Sequence, residues 1–146
     1  MAAQTILIAE DDPDIRDGVR ILLAGEGYHI LEAENGTRAL ELARAKMPDM
    51  AVLDVMMPDM DGYAVCEHIK RDPRLCDIPV VFISYEDDPS QKTRGFEVGG
   101  VDYITKPFHM RALILKVRNI IASREKLKDL YGQRLSLENL GVEISG

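Results

Sequence analysis

The sequence predicts an α/β protein with a doubly wound, five-stranded parallel sheet. Short apolar runs alternate along the chain with longer segments whose apolar residues recur at helical spacing. The apolar runs lack alternating polar residues, as is typical of parallel strands that helices cover on both faces. Because parallel strands need crossover connections, and such crossovers are right-handed, this alternation favours an open, doubly wound sheet.

The first strand and the first helix are predicted over residues 5–10 and 13–24. The strand segment, TILIAE, is apolar, rich in β-branched residues and too short for a helix. Pro13 suits the first turn of a helix, and the apolar residues after it keep helical spacing until Gly25 and Gly27. This strand and helix form the first unit of the predicted fold.

The second unit repeats the first. YHILEA, residues 28–33, again has the pattern of a strand, and Asn35 and Gly36 predict a turn directly after it. TRALELARAK, residues 37–46, is amphipathic at helical spacing. We expect this helix to end before Pro48, because the residue that precedes a proline is biased away from helical conformation.

Three more strands and two more helices complete the alternation. The strands are predicted over residues 50–54, 78–84 and 101–105, and the helices over residues 63–71 and 90–98. The strand segments are short and apolar, and a glycine pair follows the second of these helices, as expected at a helix end.

A long final helix is predicted from His109 onward. Its apolar residues follow a seam with alternating steps of three and four, which Arg124 interrupts. The seam consists of Leu113, Val117, Ile120, Leu127 and Tyr131. Only the first part of this helix can pack on the sheet. We expect the rest, residues 124–137, either to pair with a second copy as a short coiled coil or to fray.

Composition limits the class of protein. Apolar residues make up 46% and charged residues 29%, as in soluble globular domains. No apolar run approaches the roughly 18 residues that a membrane span requires, and the first residues carry no export signal. We therefore predict one domain in the cytoplasm, without membrane contact. Cys66 and Cys76 have neither the spacing of metal ligands nor that of a disulfide framework.

Charge is distributed unevenly along the chain. Residues 1–105 hold ten Lys or Arg against 21 Asp or Glu, whereas residues 106–134 hold eight against two. We interpret the basic segment as a solvated helix face, because the acidic body opposes binding to nucleic acid or anionic membranes. The chain after residue 123 is too short for a helix-turn-helix unit with its own core, so no nucleic-acid partner is predicted.

Polar residues follow the predicted strands at their carboxyl ends. The first strand ends in acids, the third and fourth end in Asp54 and Ser84, and the fifth runs into Lys106. Since these ends meet at one edge of a parallel sheet, we expect the side chains to converge. Converging carboxylates repel each other unless a cation lies among them, and Mg²⁺ suits such oxygen ligands. Asp11 or Asp12 alone could instead cap the first helix.

Four motifs in this order and spacing resemble the receiver domain of two-component response regulators: ILIAEDDP, VLDVMMPDMDG, VVFIS and DYITKPF. The resemblance covers residues 4–123 and implies a flavodoxin-like sheet with strand order 2-1-3-4-5 and an extended C-terminal helix. Residues 124–146 would then be a helical linker or C-terminal extension, leading to an output domain that is absent from the sequence.

The resemblance also implies a phospho-accepting switch, a regulatory domain rather than an enzyme. Asp54 would take a phosphoryl group from a histidine kinase or a phosphotransfer protein. Glu10 and Asp11 would hold Mg²⁺ together with Asp54 and the backbone carbonyl of Met56. Glu10 stands where many members of the family have aspartate, so we expect it to alter the affinity for the metal more than the chemistry.

Other residues receive supporting roles by the same resemblance. Ser84 would bond a phosphoryl oxygen, and Lys106 would pair with the phosphoryl group, or with Asp54 before transfer. Tyr103 matches the aromatic residue that responds to phosphorylation in the family, unless it is only a half-buried strand residue. Tyr85 stands where the family has a small residue and could block the inward position of Tyr103. Glu86 could orient a hydrolytic water or be an exposed loop acid.

The sequence also allows two alternative functions. The chain could be the regulatory receiver fragment of a larger sensor kinase or nucleotide cyclase, which the long basic helix ending at Gly146 favours. A phosphatase that also uses a strand-end aspartate would need a second acid two residues after Asp54, where Met56 stands. The phospho-accepting switch is therefore preferred, with a homodimer through the C-terminal helix as an open alternative.

Overall fold

The computed structural model describes residues 3–85 and 89–139, with side chains described as far as residue 132. The strands are β1 (Thr5–Ala9), β2 (His29–Ala33), β3 (Met50–Asp54), β4 (Val80–Ser84) and β5 (Asp102–Thr105). The helices are α1 (Pro13–Gly25), α2 (Gly36–Lys46), α3 (Gly62–Arg71), α4 (Pro89–Glu97) and α5 (Met110–Asn139). All strand pairs are parallel, in the order β2-β1-β3-β4-β5. The predicted flavodoxin-like fold is confirmed.

Two apolar layers sandwich the sheet, because successive strand residues point to opposite faces. Ile6 and Ile8 of β1 belong to the layer that packs against α1 and α5. Leu7 and Ala9 belong to the layer that packs against α2 and α3. Every residue of β3 and β4 is buried, which accounts for their unbroken apolar sequences.

The bend after β3 turns the chain sharply into α3. Asp59 adopts a φ of 65°, and its carboxylate accepts hydrogen bonds from the amides of Met60 and Gly36. Asp61 then caps α3 by accepting from the amide of Ala64. A side chain at Gly62 would collide with the backbone oxygen of Asp54. The start of α3 therefore packs directly against the end of β3.

The structure differs from the predicted element bounds in small ways. The fourth strand begins at Val80 rather than at residue 78, because the amide of Ile78 closes a turn by donating to the carbonyl of Leu75. Pro79 has no amide to donate, although its carbonyl accepts from Ala51 of β3. The last helix begins at Met110, one residue after the predicted start.

Helix α5 packs on the sheet through its first three turns. Leu113 and Val117 are fully buried, and Ile121 rather than Ile120 continues the buried face. Arg124, which interrupts the apolar seam, donates to the carbonyl of Asp49 at 2.5 Å and to its carboxylate at 3.3 Å. The helix is thus attached to the loop that precedes β3.

Beyond Arg124 the backbone is helical as far as Asn139, and the pairing or fraying of this segment stays a prediction. The side chains of Leu127, Leu130 and Tyr131 are exposed. The final residues, 140–146, lie outside the described part of the chain.

Candidate functional site

The structure brings the polar strand ends together at the carboxyl edge of the sheet. Asp54 and Ser84 end the adjacent strands β3 and β4, while Glu10 and Lys106 directly follow β1 and β5. The amide of Lys106 donates to the carbonyl of Ser84, which continues the pairing of β4 with β5. These residues are the four buried polar or charged side chains of the described chain. Natural proteins rarely bury such groups without a partner or a function.

Lys106 lies between two carboxylates. Its ammonium donates to Oε1 of Glu10 at 2.5 Å and to Oδ2 of Asp54 at 3.3 Å. The other oxygen of Asp54 accepts from the amide of Met56 at 3.4 Å. Of the two buried acids, Glu10 therefore makes the shorter contact with the lysine.

Burial and mutual repulsion govern the electrostatics of the site. Burial raises the pKa of Glu10, and the neighbouring Asp54 raises it further, while Lys106 opposes these effects only in part. Burial alone would lower the pKa of Lys106, but its contacts with Glu10 and Asp54 raise the pKa above the usual value. The lysine stays charged, and a single positive charge faces two acids. The site is short of positive charge.

The donor set fits a hard divalent cation. Glu10, Asp11 and Asp54 each offer a carboxylate oxygen, and these oxygens lie within 4.8 Å of one another. Asp11 is exposed, whereas Asp12 caps α1 by accepting from the amides of Asp14 and Ile15. The two adjacent acids therefore have separate roles in the structure. One exposed carboxylate beside two buried ones leaves a side open to water, which suits Mg²⁺ because this ion retains several water ligands.

The site opens into a cavity of about 340 Å³, whose lining includes Asp11, Met56 and Ser84. A second cavity, of about 280 Å³, lies beside it between α1 and the start of α5, and has apolar walls that include Val19, Leu22 and Phe108. Three residues line both cavities: Ile15, Tyr85 and Lys106.

The two tyrosines considered for a switch lie in different surroundings. Tyr103 is 9% exposed and packs against Phe82, with ring centroids 6.4 Å apart, in the layer that contains α3. Tyr85 is 68% exposed, and its ring centroid lies 4.9 Å from the ammonium of Lys106. The hypothesis that Tyr85 blocks Tyr103 stays a prediction, as does the role of Glu86, which lies outside the described residues.

Sequence reasoning missed the contact between Tyr85 and Lys106. The available signal was position: Tyr85 directly follows Ser84, at the same sheet edge where Lys106 was expected. The direction of an exposed side chain cannot be read from such a pattern. Among the described residues, no helix combines the length and the apolar character that crossing a membrane requires.

Comparison with known families gives a match to the response regulator receiver domain over residues 6–118. Over 122 residues the chain is 38% identical to the DNA-binding dual master transcriptional regulator RpaA of Synechocystis, covering 84% of this chain and 51% of that protein. It is 41% identical over 141 residues to histidine kinase P4 of Formosa agariphila, covering 97% of this chain and 10% of the kinase. The chain thus spans about half of one relative and a tenth of the other.

Solved structures agree with the family match. The signal receiver domain of a signal transduction histidine kinase from Syntrophus aciditrophicus is 36% identical, with a TM-score of 0.77, and the match covers 83% of this chain and 92% of that one. The chemotaxis protein CheY4 of Vibrio cholerae is 27% identical, with a TM-score of 0.78, and the match covers 82% and 99%. The chain belongs to the response regulator receiver domains of two-component signal transduction.

Proposed function

We propose that the chain is a phospho-accepting signalling switch in which Asp54 takes a phosphoryl group from a histidine kinase or a phosphotransfer protein. One observation carries the proposal. The buried carboxylate of Asp54 ends β3 in a cavity that also contains Lys106 and Ser84, and it lies within 4.8 Å of the oxygens of Glu10 and Asp11. The proposed nucleophile, the ammonium of Lys106 and the proposed metal donors therefore lie in one pocket.

The proposed reaction needs alignment and charge neutralisation more than covalent chemistry by the protein. An oxygen of Asp54 forms a bond to phosphorus as the bond from phosphorus to the donor breaks, and the electron pair of that bond stays on the donor. Asp54 needs no general base, because a carboxylate is already ionised. Lys106, whose pKa is raised, supplies a permanent positive charge beside the transferred group.

Glu10, Asp11, Asp54 and the backbone carbonyl of Met56 are the proposed holders of Mg²⁺. When bound, the ion would neutralise the charge on the phosphoryl oxygens. The protein provides three carboxylates for it but only one ammonium, which is the imbalance expected of a pocket built for a cation.

Ser84 and Tyr103 are the proposed link from phosphorylation to the surface. Ser84 ends β4 in the cavity of Asp54, and it pairs in register with Thr105, two residues after Tyr103. If the hydroxyl of Ser84 donates a hydrogen bond to a phosphoryl oxygen on Asp54, the packing between β4 and β5 would change at the point where Tyr103 contacts Phe82. The response is limited to the difference in free energy with which the phosphoryl group interacts with the two states.

Intact-mass measurement after incubation with a small phosphodonor and Mg²⁺ tests the function. Wild-type protein should gain the mass of one phosphoryl group, and Asp54→Asn should gain none. Asp12→Asn is a matched control at the same edge, because asparagine caps a helix as well as aspartate does. It should label like the wild type. Equal labelling of wild type and Asp54→Asn would reject Asp54 as the acceptor.

We further propose that residues 4–123 form the receiver domain and that residues 124–146 are a helical extension toward an output domain or a second copy. The exposed Leu127, Leu130 and Tyr131 support this, because apolar side chains on a projecting helix are typically covered by a partner. The incomplete coverage of RpaA and histidine kinase P4 also fits a regulatory piece of a larger protein.

Light scattering coupled to size separation tests the second copy. Phosphodonor-treated wild type should show the mass of a dimer, and a variant with Leu127→Ser and Leu130→Ser should stay monomeric. A monomer in both samples would favour an attached output domain as the partner of this helix.

A further inference from the structure

We propose that Tyr85 is a positioning residue that closes the side of Lys106 facing α1 and thereby prolongs the lifetime of the phosphoryl group on Asp54. The inference rests on the function proposed above and deepens it. It gives Tyr85 a role that differs from blocking Tyr103.

Tyr85 stands on the wall between two cavities. On one side lies the acidic cavity of Asp54, and on the other lies the apolar cavity between α1 and α5. Ile15, Tyr85 and Lys106 form the part of the wall that both cavities share. Truncation of the exposed ring of Tyr85 would join the two spaces at Lys106.

The ring also completes the surroundings of the lysine. The ammonium of Lys106 has three N–H groups, and the carboxylates of Glu10 and Asp54 accept from it. The ring of Tyr85 lies within the range of a cation–π contact, with 4.9 Å between its centroid and the ammonium nitrogen. Lys106 is only 6% exposed, so this exposed ring lies between a buried charge and bulk water.

Packing into the apolar core does not account for Tyr85 at this position. Two thirds of its surface is exposed, and its contact with Lys106 is made to a charged group rather than to the apolar core. A side chain of this kind contributes little to folding, so substitutions should leave the domain intact. Its effect should be confined to the chemistry beside it.

Loss of the phosphoryl group is the step on which the ring would act. A water oxygen bonds to phosphorus while the bond from phosphorus to the oxygen of Asp54 breaks. The electron pair of that bond stays on the carboxylate, and inorganic phosphate leaves with the water proton passing to solvent. Tyr85 restricts the approach of water from the side of the apolar cavity, and it keeps the ammonium of Lys106 beside the phosphoryl oxygens.

Dephosphorylation rates of four proteins test the proposal. We expect Tyr85→Ala to lose its label about two- to fivefold faster than the wild type, the range that an exposed contact between an ammonium and an aromatic ring supports. Tyr85→Phe keeps the ring and should restore the wild-type rate. Phe96→Ala removes an exposed aromatic ring on α4, away from Lys106, and should match the wild type. An unchanged or slower rate in Tyr85→Ala would overturn the proposal.

A measurement without phosphate separates this inference from the proposed function. The side-chain methylene protons of Lys106 should show a ring-current shift in the unphosphorylated wild type and in Tyr85→Phe, and the shift should vanish in Tyr85→Leu. Failure of the wild type to label would reject the function, while the shift would still report the contact. A shift that is identical in Tyr85→Leu would reject the role of Tyr85 even if Asp54 is labelled.

Discussion

The two ends of β3 each carry an aspartate, and the two carboxylates lie in opposite electrostatic situations. Asp49, just before the strand, accepts from the amide of Thr5 at 2.8 Å and from Arg124 at 3.3 Å, with Lys128 at 4.0 Å. Asp54, the last residue, shares Lys106 with another buried acid. One end has cations in excess, and the other has carboxylates in excess.

This difference supports a structural role for Asp49 and the reactive role proposed for Asp54. The environment of Asp49 already supplies the positive charge and the donors that a carboxylate needs, so it has nothing left to bind. The environment of Asp54 supplies less positive charge than its carboxylates need, as expected of a pocket that binds a cation and a phosphoryl group. Two residues of the same type, one just before β3 and one at its end, therefore differ in environment, and only Asp54 has the surroundings that the proposed chemistry requires.

The largest expected contrast is in phosphorylation. Asp49→Asn should accept a phosphoryl group from a small donor as the wild type does, while Asp54→Asn should accept none, because the neutral amide at residue 54 cannot act as the nucleophile. Intact-mass measurement of both variants checks this. Loss of labelling in folded Asp49→Asn would show that the two ends of β3 are not independent.

Addition of Mg²⁺ should stabilise the folded protein, and this stabilisation should depend on Asp54 but not on Asp49. At a concentration one hundred times its dissociation constant, a ligand that binds only the folded state stabilises it by about 2.7 kcal/mol. We expect a stabilisation of this order in wild type and in Asp49→Asn, measured by urea unfolding with and without Mg²⁺. Asp54→Asn, which lacks one of the proposed donors, should be stabilised much less. An equal gain in all three proteins would place the metal elsewhere.

Removal of the cation at the other end should cost stability without affecting chemistry. Arg124→Ala leaves a partly buried Asp49 with fewer donors, and we expect the free energy of unfolding to fall by about 2 kcal/mol. Lys128→Ala is the matched control. Lys128 lies 4.0 Å from the same carboxylate and is half exposed, so its loss should cost less than about 1 kcal/mol. Equal losses would mean that Arg124 is not the main attachment.

The smallest expected effect is a dependence on pH in the absence of metal. The folded state raises the pKa of Glu10 above the usual value of a glutamate, chiefly through burial and then through the neighbouring Asp54. The folded state therefore holds this proton more tightly than the unfolded state, and stability falls as the pH rises through the interval between the two pKa values.

Urea unfolding in the presence of a chelator measures the effect. As the pH rises from about 4, near the usual pKa of a glutamate, towards neutral, wild-type protein should lose stability relative to Glu10→Gln, which cannot ionise. Lys106 stays charged throughout this range, so it does not change the sign. If stability varied with pH in the same way in both proteins, the folded state would not raise the pKa of Glu10, and the prediction would be wrong.

The fold and the convergence of the strand ends could be predicted from the sequence, because both follow from simple physical rules. Apolar periodicity places the elements, and parallel strands bring their carboxyl ends to one edge. Asp54 and Lys106 could therefore be placed in one cavity although they are 52 residues apart in sequence. This part of the prediction depended on the alternation of strand-like and helix-like apolar patterns and on the polar residues that follow the strands.

The remaining contacts depend on side-chain directions that periodicity does not encode. In the sequence, Arg124 only interrupts an apolar seam. In the structure it attaches α5 to Asp49, 75 residues earlier, through hydrogen bonds to the carbonyl and the carboxylate. The ring of Tyr85 lies beside Lys106, a contact that the sequence did not predict, while its expected effect on Tyr103 stays a prediction. Glu10, the proposed metal ligand, also accepts a hydrogen bond from Lys106, which the sequence did not predict. Each of these contacts is set by packing among distant segments.

The double attachment of α5 fixes its rotational phase. Leu113, buried against the sheet, and Arg124, bonded to Asp49, are eleven residues apart, which is close to three full turns. One residue inserted after Arg124 would swing everything beyond it by about 100° around the helix axis. Seven inserted residues would nearly restore the original direction. The length of this segment, and not only its composition, therefore decides which way its exposed leucines point.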